Sequence, residues 1–192
     1  LKFELGIQLA ASNINLTQNG CTTNDKNDLA KLRWATGNLK STGSTNYIWA
    51  PSQTEIGYYY AFNKLYNGST GDPCSKLNTA YYGTGWRTPS KNELEKLSRC
   101  TDKVFTNNGM WFMNKSLGVF LKAGGVRQES GSGTNGATYT DHGCYWTSTI
   151  GTSKNAYNME FWNTEAHVNN TSSWFGLQTN GLLIRCVKGT KQ

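Results

Sequence analysis

Catalysis by a nucleophilic side chain requires a Cys or Ser beside a base, and this sequence of 192 residues contains two histidines that could be the base, His142 and His167. His142 lies two positions before Cys144 in a Gly-containing loop, so a Cys–His pair is conceivable. Side chains two positions apart share a strand face without forming a hydrogen bond, and no third group is evident that would orient the histidine. We therefore predict that the chain has no catalytic residues and is not an enzyme.

A calcium-dependent sugar site would need carboxylates clustered with amide carbonyls, and the segment EFWNTE offers Glu160, Asn163 and Glu165. The whole chain has only 12 acidic residues, so this trio is sparse for a divalent cation. On an alternating strand, Glu160 and Asn163 would also face opposite sides. We interpret the three as solvent-facing polar residues and predict neither a metal site nor another cofactor.

The composition best suited to binding lies between residues 157 and 180, YNMEFWNTEAHVNNTSSWFGLQTN, where aromatic rings alternate with Asn side chains. Such rings stack on the C–H faces of pyranoses while amides pair with sugar hydroxyls, but Trp and Tyr also anchor protein interfaces. The composition leaves both ligand classes, glycan and protein, open. We expect Phe161 and Phe175 to belong to the core.

Composition argues against several classes of protein. With 16% charged residues, 36% hydrophobic residues and 21 glycines, the chain is unlike a helical bundle or a disordered tail. The net charge of +7 comes from scattered lysines and arginines without a basic run, so we predict no nucleic-acid partner. No apolar run reaches the length of a transmembrane helix, and we predict no membrane insertion by this segment.

Five cysteines are spread over the chain, and none forms the C-x-x-C pair typical of structural zinc sites. Their wide spacing suits one or two disulfides in an exported protein. Cys74 and Cys100 flank the clearest helix signal, and we predict a bond between them that stabilises the fold by about 3 kcal/mol through loop closure. Cys144 and Cys186 are either a second pair or two buried thiols. Cys21 is expected to stay unpaired.

A mixture of strands and helices must position these residues. Residues 3–9 alternate apolar and polar side chains, which is the period of a half-buried strand. In GWRTPSKNELEKL, Ser90 is a good N-cap and Glu93 completes a capping box, which predicts a scaffold helix ending near residues 98–100. The segments YWTST, AYNMEFW and GLLIRCVKG read as late strands. The predicted fold class is α+β, with one or two helices on twisted antiparallel strands and long irregular loops.

Five segments follow one another in a characteristic order, namely LRWATGNLK, GWRTPSKNELEKL, GVFLKAGG, YWTST and GLLIRCVK. Together they resemble a bacterial surface-domain family related to the Fibrobacter major paralogous domain, over residues 26–189. Lys122 departs from the proline that usually follows the leucine in that family. The resemblance implies a C-type lectin-like domain over residues 26–192. Residues 1–25 are then an N-terminal strand segment from a preceding domain or an interdomain contact.

The resemblance implies a fold more firmly than an activity, because the same broad fold carries sugar-binding lectins, receptor-binding proteins of phages and the formylglycine-generating oxidases. Similar domains lie at the tips or C-termini of pilin and surface proteins of Bacteroidales such as Bacteroides. The resemblance therefore implies a secreted, non-enzymatic adhesion module of a fimbrium or pilus at the outer-membrane surface. Its partners would be a glycan, a host or bacterial surface protein, or other pilus subunits.

Two alternatives to an adhesion module stay open. The first is a structural subunit that serves assembly and has no ligand of its own. The second is an enzyme of the oxidase branch, which uses a pair of active-site cysteines and substantially more chain, neither of which is evident here.

The resemblance also implies where a ligand would bind. In related lectin-like domains with variable surfaces, the ligand face lies late in the chain, before the final strand. By this analogy, the candidate ligand-binding residues are Tyr157, Trp162, Asn163, His167, Asn169 and Trp174.

Overall fold

The computed structural model describes residues 6–14, 20–106, 108–169 and 174–192, and short β-strands are the main regular elements there. All the pairs between these strands are antiparallel. The strands are β1 (Ile7–Gln8), β2 (Arg33–Trp34), β3 (Leu39–Ser41), β4 (Tyr47–Trp49), β5 (Trp86–Arg87), β6 (Lys103–Thr106), β7 (Gly109–Phe112), β8 (Val119–Lys122), β9 (Gly143–Ile150), β10 (Ala156–Trp162), β11 (Glu165–Asn169) and β12 (Val187–Lys188).

The strands form four small sheets in the described part of the chain. Strands β1, β2, β12 and β5 lie side by side in that order, so early and late segments meet in one sheet. Strands β6, β7 and β8 form a meander, and β3 pairs with β4. Strands β9, β10 and β11 form a second meander, with β10 in the middle. The mixed α+β class with mostly antiparallel strands is therefore confirmed.

Helices are few and short. The α-helices are α1 (Thr23–Ala30), α2 (Thr79–Tyr82) and α3 (Lys91–Cys100), and the 3-10 helices are Ala11–Asn13, Pro73–Lys76 and Trp174–Gly176. Within the described residues, no helix has the length and apolar character needed to cross a bilayer.

The predicted scaffold helix is confirmed as α3. The Ser90 hydroxyl accepts the backbone N–H of Glu93 (3.2 Å), and the Glu93 carboxylate accepts the backbone N–H of Ser90 (2.7 Å), which is the capping box. The same carboxylate is fully buried and takes two hydrogen bonds from Arg87 on β5, at 2.7 and 2.5 Å. One glutamate therefore caps the helix and joins it to the neighbouring strand.

The predicted Cys74–Cys100 disulfide is wrong. Cys21 is bonded to Cys100 and Cys74 to Cys186, which leaves Cys144 as the buried free thiol. The partners are selected by packing between elements distant in sequence. Helix α1 packs on α3, which brings Cys21 to the end of α3, and β5 pairs with β12 beside the 3-10 helix that contains Cys74.

The described part of residues 1–25 packs against the rest of the chain. Strand β1 pairs with β2, and Leu9 and Ile14 are buried in the same core cluster as Leu94 and Leu97 of α3. The first residues of the predicted strand, 1–5, lie outside the described residues. The domain boundary at residue 25 stays a prediction.

The centre of the molecule contains a buried cation. The Arg185 guanidinium is 1% exposed, and burial lowers its pKa to about 10, so it remains charged at neutral pH. Its hydrogen bonds run to neutral oxygens, namely Oδ1 of Asn38 (3.0 Å), O of Ala35 (3.1 Å), Oε1 of Gln53 (3.1 Å), O of Gln53 (3.4 Å) and O of Phe120 (2.9 Å). One side chain thereby joins two loops and β8 to the segment before β12.

Candidate ligand-binding face

The meander of β9, β10 and β11 presents one face whose residues can be read from the register. Directly opposed residues in an antiparallel pair point to the same side of a sheet. The rows on this face are Trp162 with Glu165, then Cys144 with Glu160 and His167, then Trp146 with Asn158 and Asn169. The opposite face carries Met159 and Phe161, which are buried in the core cluster that includes the leucines of α3. The face with Trp162 is itself buried at Cys144 and Trp146, which belong to a second core cluster, and it emerges at the surface at its Trp162 end.

A tight turn holds Trp162 at the exposed end of this face. Trp162 closes β10 and pairs with Glu165, so only Asn163 and Thr164 connect the two strands. Asn163 has a φ of 54°, the left-handed conformation that two-residue hairpin turns require and that Asn tolerates. The dipeptide therefore fixes the position of the indole relative to β11.

Aromatic rings cover this end of the meander. His142 stacks on Trp162, with ring centroids 5.4 Å apart, and Trp162 lies 5.9 Å from His167. Tyr139 continues the series, at 5.9 Å from His142 and 6.3 Å from Trp174. The rings, called the aromatic face below, are Tyr139, His142, Trp162, His167, Trp174 and Phe175.

The largest rings of the aromatic face are open to solvent. Tyr139 is 46%, Trp162 39% and Trp174 49% exposed, although burying such rings is among the largest contributions to a fold. Tyr139 also has a φ of 53°, a backbone conformation that is uncommon for an aromatic residue. A contiguous exposed aromatic patch of this kind is typical of an interaction surface.

The ionisable groups beside the rings are mainly carboxylates. Nδ1 of His142 lies 2.9 Å from the Asp141 carboxylate, and Nε2 of His167 lies 3.1 Å from the Glu165 carboxylate. The hydrogen bond with His142 lowers the pKa of Asp141. Glu160 lies between Cys144 and His167 in the register and accepts a hydrogen bond from Nδ2 of Asn169 (3.0 Å).

Glu160 is not the solvent-facing residue that the sequence suggested. Glu160 is 6% exposed and is flanked by Cys144 and His167 on the neighbouring strands. Burial raises its pKa, while His142, Asn169 and His167 act in the opposite direction. The side chain therefore cannot be one of three open calcium ligands.

Cys144 neighbours Glu160 on the same face but lies deeper. The thiol is fully buried, and burial together with the negative charges of Glu160 and Asp141 raises its pKa well above the usual range. A thiol held in its protonated form is a poor nucleophile. The imidazole of His142 stacks on Trp162 and lies beside Asp141, so its contacts are with the aromatic face.

The six candidate residues fall into three groups. Trp162, His167 and Trp174 belong to the aromatic face. Asn163 lies in the turn directly after Trp162, and the amide of Asn169 is engaged by Glu160. Tyr157 lies on the opposite face of β10, where Nζ of Lys91 sits 4.4 Å from the centre of its ring. Asn170, in the same Asn-rich stretch, lies outside the described residues.

Three rings of the aromatic face were missed by sequence reasoning. Tyr139 and His142 come from the polar loop before β9, and Phe175, expected to be core, is half-buried, packs against a core cluster and also contacts Tyr139. The signal for the first two was present in the segment TYTDHG, where Tyr and His stand in an otherwise small and polar loop.

An open groove of about 650 Å³ adjoins the aromatic face on the outer side of β11. Its wall on the β11 side includes Glu165, His167 and Asn169, and the α3 side contributes Arg99, with Lys103 following the helix. His167 belongs to both features, since its ring also lies near Trp162. A ligand on the aromatic face could therefore extend towards α3.

Within the part of the chain that the structure describes, no group of metal ligands within reach of a common ion lies at this face. Among the described residues, the one group of potential ligands within reach of a common ion is Cys21, Asp25 and Cys100. Both of those cysteines are in a disulfide, which removes their thiolates as ligands.

Comparisons with known proteins identify no relative. The chain matches no protein family, and neither the curated proteins nor the solved structures contain a match.

Proposed function

We propose that this chain is a non-enzymatic ligand-binding module of a bacterial cell-surface or pilus protein, with a C-type lectin-like fold. It recognises a glycan or a surface protein through the aromatic face. The observation that carries the proposal is the contiguous series of Trp162, His142, Tyr139 and Trp174, which gathers rings from three separate segments at one end of the meander. The chain keeps three large rings in water there, which costs folding free energy that a ligand would recover.

The geometry favours binding over catalysis. The Cys–His pair that would suit a nucleophilic enzyme has its thiol fully buried, with a raised pKa. The exposed rings lie on a surface rather than in a deep cleft that would exclude water from a reacting group. Recognition by stacking and edge contacts needs only this open arrangement.

Export is supported by the disulfides. Two disulfides join segments 79 and 112 positions apart, and such bonds persist in oxidising compartments outside the cytosol. A cell-surface or pilus location agrees with them.

A glycan array and a cell-binding assay test the proposed function. Trp162→Ala and Trp174→Ala should each lose most of the binding signal of the parent chain, because each removes a ring on which a ligand stacks. Parallel assays on cells treated with protease or with glycosidases distinguish a protein ligand from a glycan. Melting curves of each variant establish that the fold is retained.

Tyr81→Ala is the matched control, because Tyr81 is 77% exposed but lies on α2, outside the aromatic face. It should bind like the parent chain. Equal binding by the parent chain and both Trp variants would show that the ligand contacts a different surface. No binding by the parent chain to any glycan or cell would remove the proposal altogether.

A further inference from the structure

Resting on the proposed function, we infer that the aromatic face recognises an organic ammonium group. The cation would lie over the exposed rings of Tyr139, Trp162 and Trp174 and be balanced by the carboxylates of Asp141 and Glu165. The face of an aromatic ring carries negative electrostatic potential and attracts cations within about 6 Å of its centre.

The charge around the rings is opposite to that of the whole chain. The chain carries a net charge of +7, yet the ionisable neighbours of the aromatic face are Asp141, Glu160, Glu165 and two histidines. In the described part of the chain, the ion pairs found for Asp141 and Glu165 are with His142 and His167, not with Lys or Arg. A local excess of carboxylates on a basic protein favours a cationic ligand there.

The two cations that line the adjoining groove are directed elsewhere. Arg99 and Lys103 line the groove beyond β11, but Arg99 is paired with Asp25 (2.9 Å) and Nζ of Lys103 donates to the backbone oxygen of Ser98 (2.7 Å). They therefore do not neutralise Asp141, which is the most exposed acid at the rings, with 81% of its side chain in solvent.

Ring spacing also suits a compact cation. Successive ring centres from Trp162 through His142 and Tyr139 to Trp174 are 5.4, 5.9 and 6.3 Å apart. A trimethylammonium or lysine-type ammonium over one ring would then lie close to the next. A neutral sugar would rely more on amides, and the Asn169 amide is already bonded to Glu160.

The test compares choline with its neutral analogue 3,3-dimethylbutan-1-ol, using calorimetry and tryptophan fluorescence on the intact chain. Choline should bind at least about fivefold more tightly than the neutral analogue at pH 7.5 and low salt. Its affinity should fall in 0.5 M salt. Nα-acetyl-lysine amide and glucosamine, run in parallel, show whether a peptide or an amino sugar supplies the ammonium group best.

Variants locate the contact. Asp141→Asn and Glu165→Gln should each weaken choline binding at least threefold, and Trp162→Ala should abolish it. Glu55→Gln is the control, because Glu55 is an exposed acid near Asn38 that makes no contact with the aromatic face.

Equal affinity for choline and its neutral analogue, or no effect of the two acid variants, would overturn the inference. If glycans of the array still bind and need Trp162 in that case, the aromatic face remains the proposed ligand site. Its ligand would then be a neutral sugar and not a cation. Failure of the ammonium probes and of all glycans and cells to bind would remove both proposals.

Discussion

The imidazole of His142 stacks on the indole of Trp162, with ring centroids 5.4 Å apart and ring planes 28° from parallel. The contact joins the loop before β9 to the last residue of β10, 20 positions later. The aromatic face is built around this pair, since Tyr139 and His167 adjoin it on either side.

The stacking makes a prediction for nuclear magnetic resonance. The ring current of Trp162 should move the carbon-bound ring protons of His142 upfield from their usual positions. Trp162→Ala should return those resonances to positions typical of an exposed histidine, whereas Trp111→Phe, on β7, should leave them unchanged. Resonances of His142 that are identical in the parent chain and in Trp162→Ala would contradict the stacked arrangement.

The ionised carboxylate of Glu160 should lower the free energy of unfolding at high pH. Its pKa is raised in the folded state by burial, so the folded chain holds the proton more tightly than the unfolded chain. The stabilisation that protonation provides is full below the unfolded pKa of about 4.3 and is lost as the pH rises through the folded pKa. At pH 8, the melting temperature of Glu160→Gln should therefore be about 2 °C higher than that of the parent chain.

The same variant should lose that advantage at pH 4, where the parent carboxyl is protonated. Glutamine can still accept the hydrogen bond from Asn169, so the local geometry is preserved. Glu165→Gln, at an exposed carboxylate of the neighbouring strand, serves as the control and should change little at either pH. A lower melting temperature for Glu160→Gln at pH 8 would mean that the ionised carboxylate stabilises the fold.

Thiol counting and peptide mapping check the disulfides. Without reduction, a thiol-reactive reagent should label one cysteine of the denatured chain and none of the native chain, because Cys144 is fully buried. Proteolysis should give one peptide pair containing Cys21 and Cys100 and another containing Cys74 and Cys186.

Cys144→Ala should reduce the number of labelled thiols in the denatured chain to zero and leave both disulfide-linked peptide pairs intact. The double change Cys74→Ala with Cys186→Ala should lower the free energy of unfolding by about 2–5 kcal/mol, because a long loop is released in the unfolded chain. A peptide joining Cys74 to Cys100 would refute the pairing.

Arg185→Lys should be strongly destabilising. The guanidinium bonds five neutral oxygens in the core, and an ammonium has three donors at a single point, so acceptors such as those of Gln53 and Phe120 would be left buried and unpaired. We expect a loss of about 3 kcal/mol in the free energy of unfolding, measured as a lower urea midpoint at constant slope.

Arg99→Lys is the matched control, because its ion pair with Asp25 lies near the surface and can be kept by lysine. Arg99→Lys should lower the free energy of unfolding by less than about 1 kcal/mol. Equal costs for both arginine changes would mean that the buried network around Arg185 contributes no more than a surface ion pair.

Sequence patterns predicted the features whose interacting groups are close along the chain. The capping box of α3 spans Ser90 to Glu93, and strand β10 matches the segment AYNMEFW from end to end. The alternation of side chains along β10 also argues against placing Tyr157 and Trp162 in one binding face. Tyr157 and Trp162 are an odd number of positions apart, so a strand must place them on opposite faces.

Tertiary structure decided which distant residues meet. Disulfide partners 79 and 112 positions apart depend on the packing of α1 on α3 and on the pairing of β5 with β12, and no local pattern encodes either. The aromatic face likewise draws Tyr139 and His142 from a loop, Trp162 from β10 and Trp174 from a 3-10 helix. Local sequence specifies strands and caps because their hydrogen bonds are short-range, whereas a binding surface forms only where packed elements bring side chains from separate segments together.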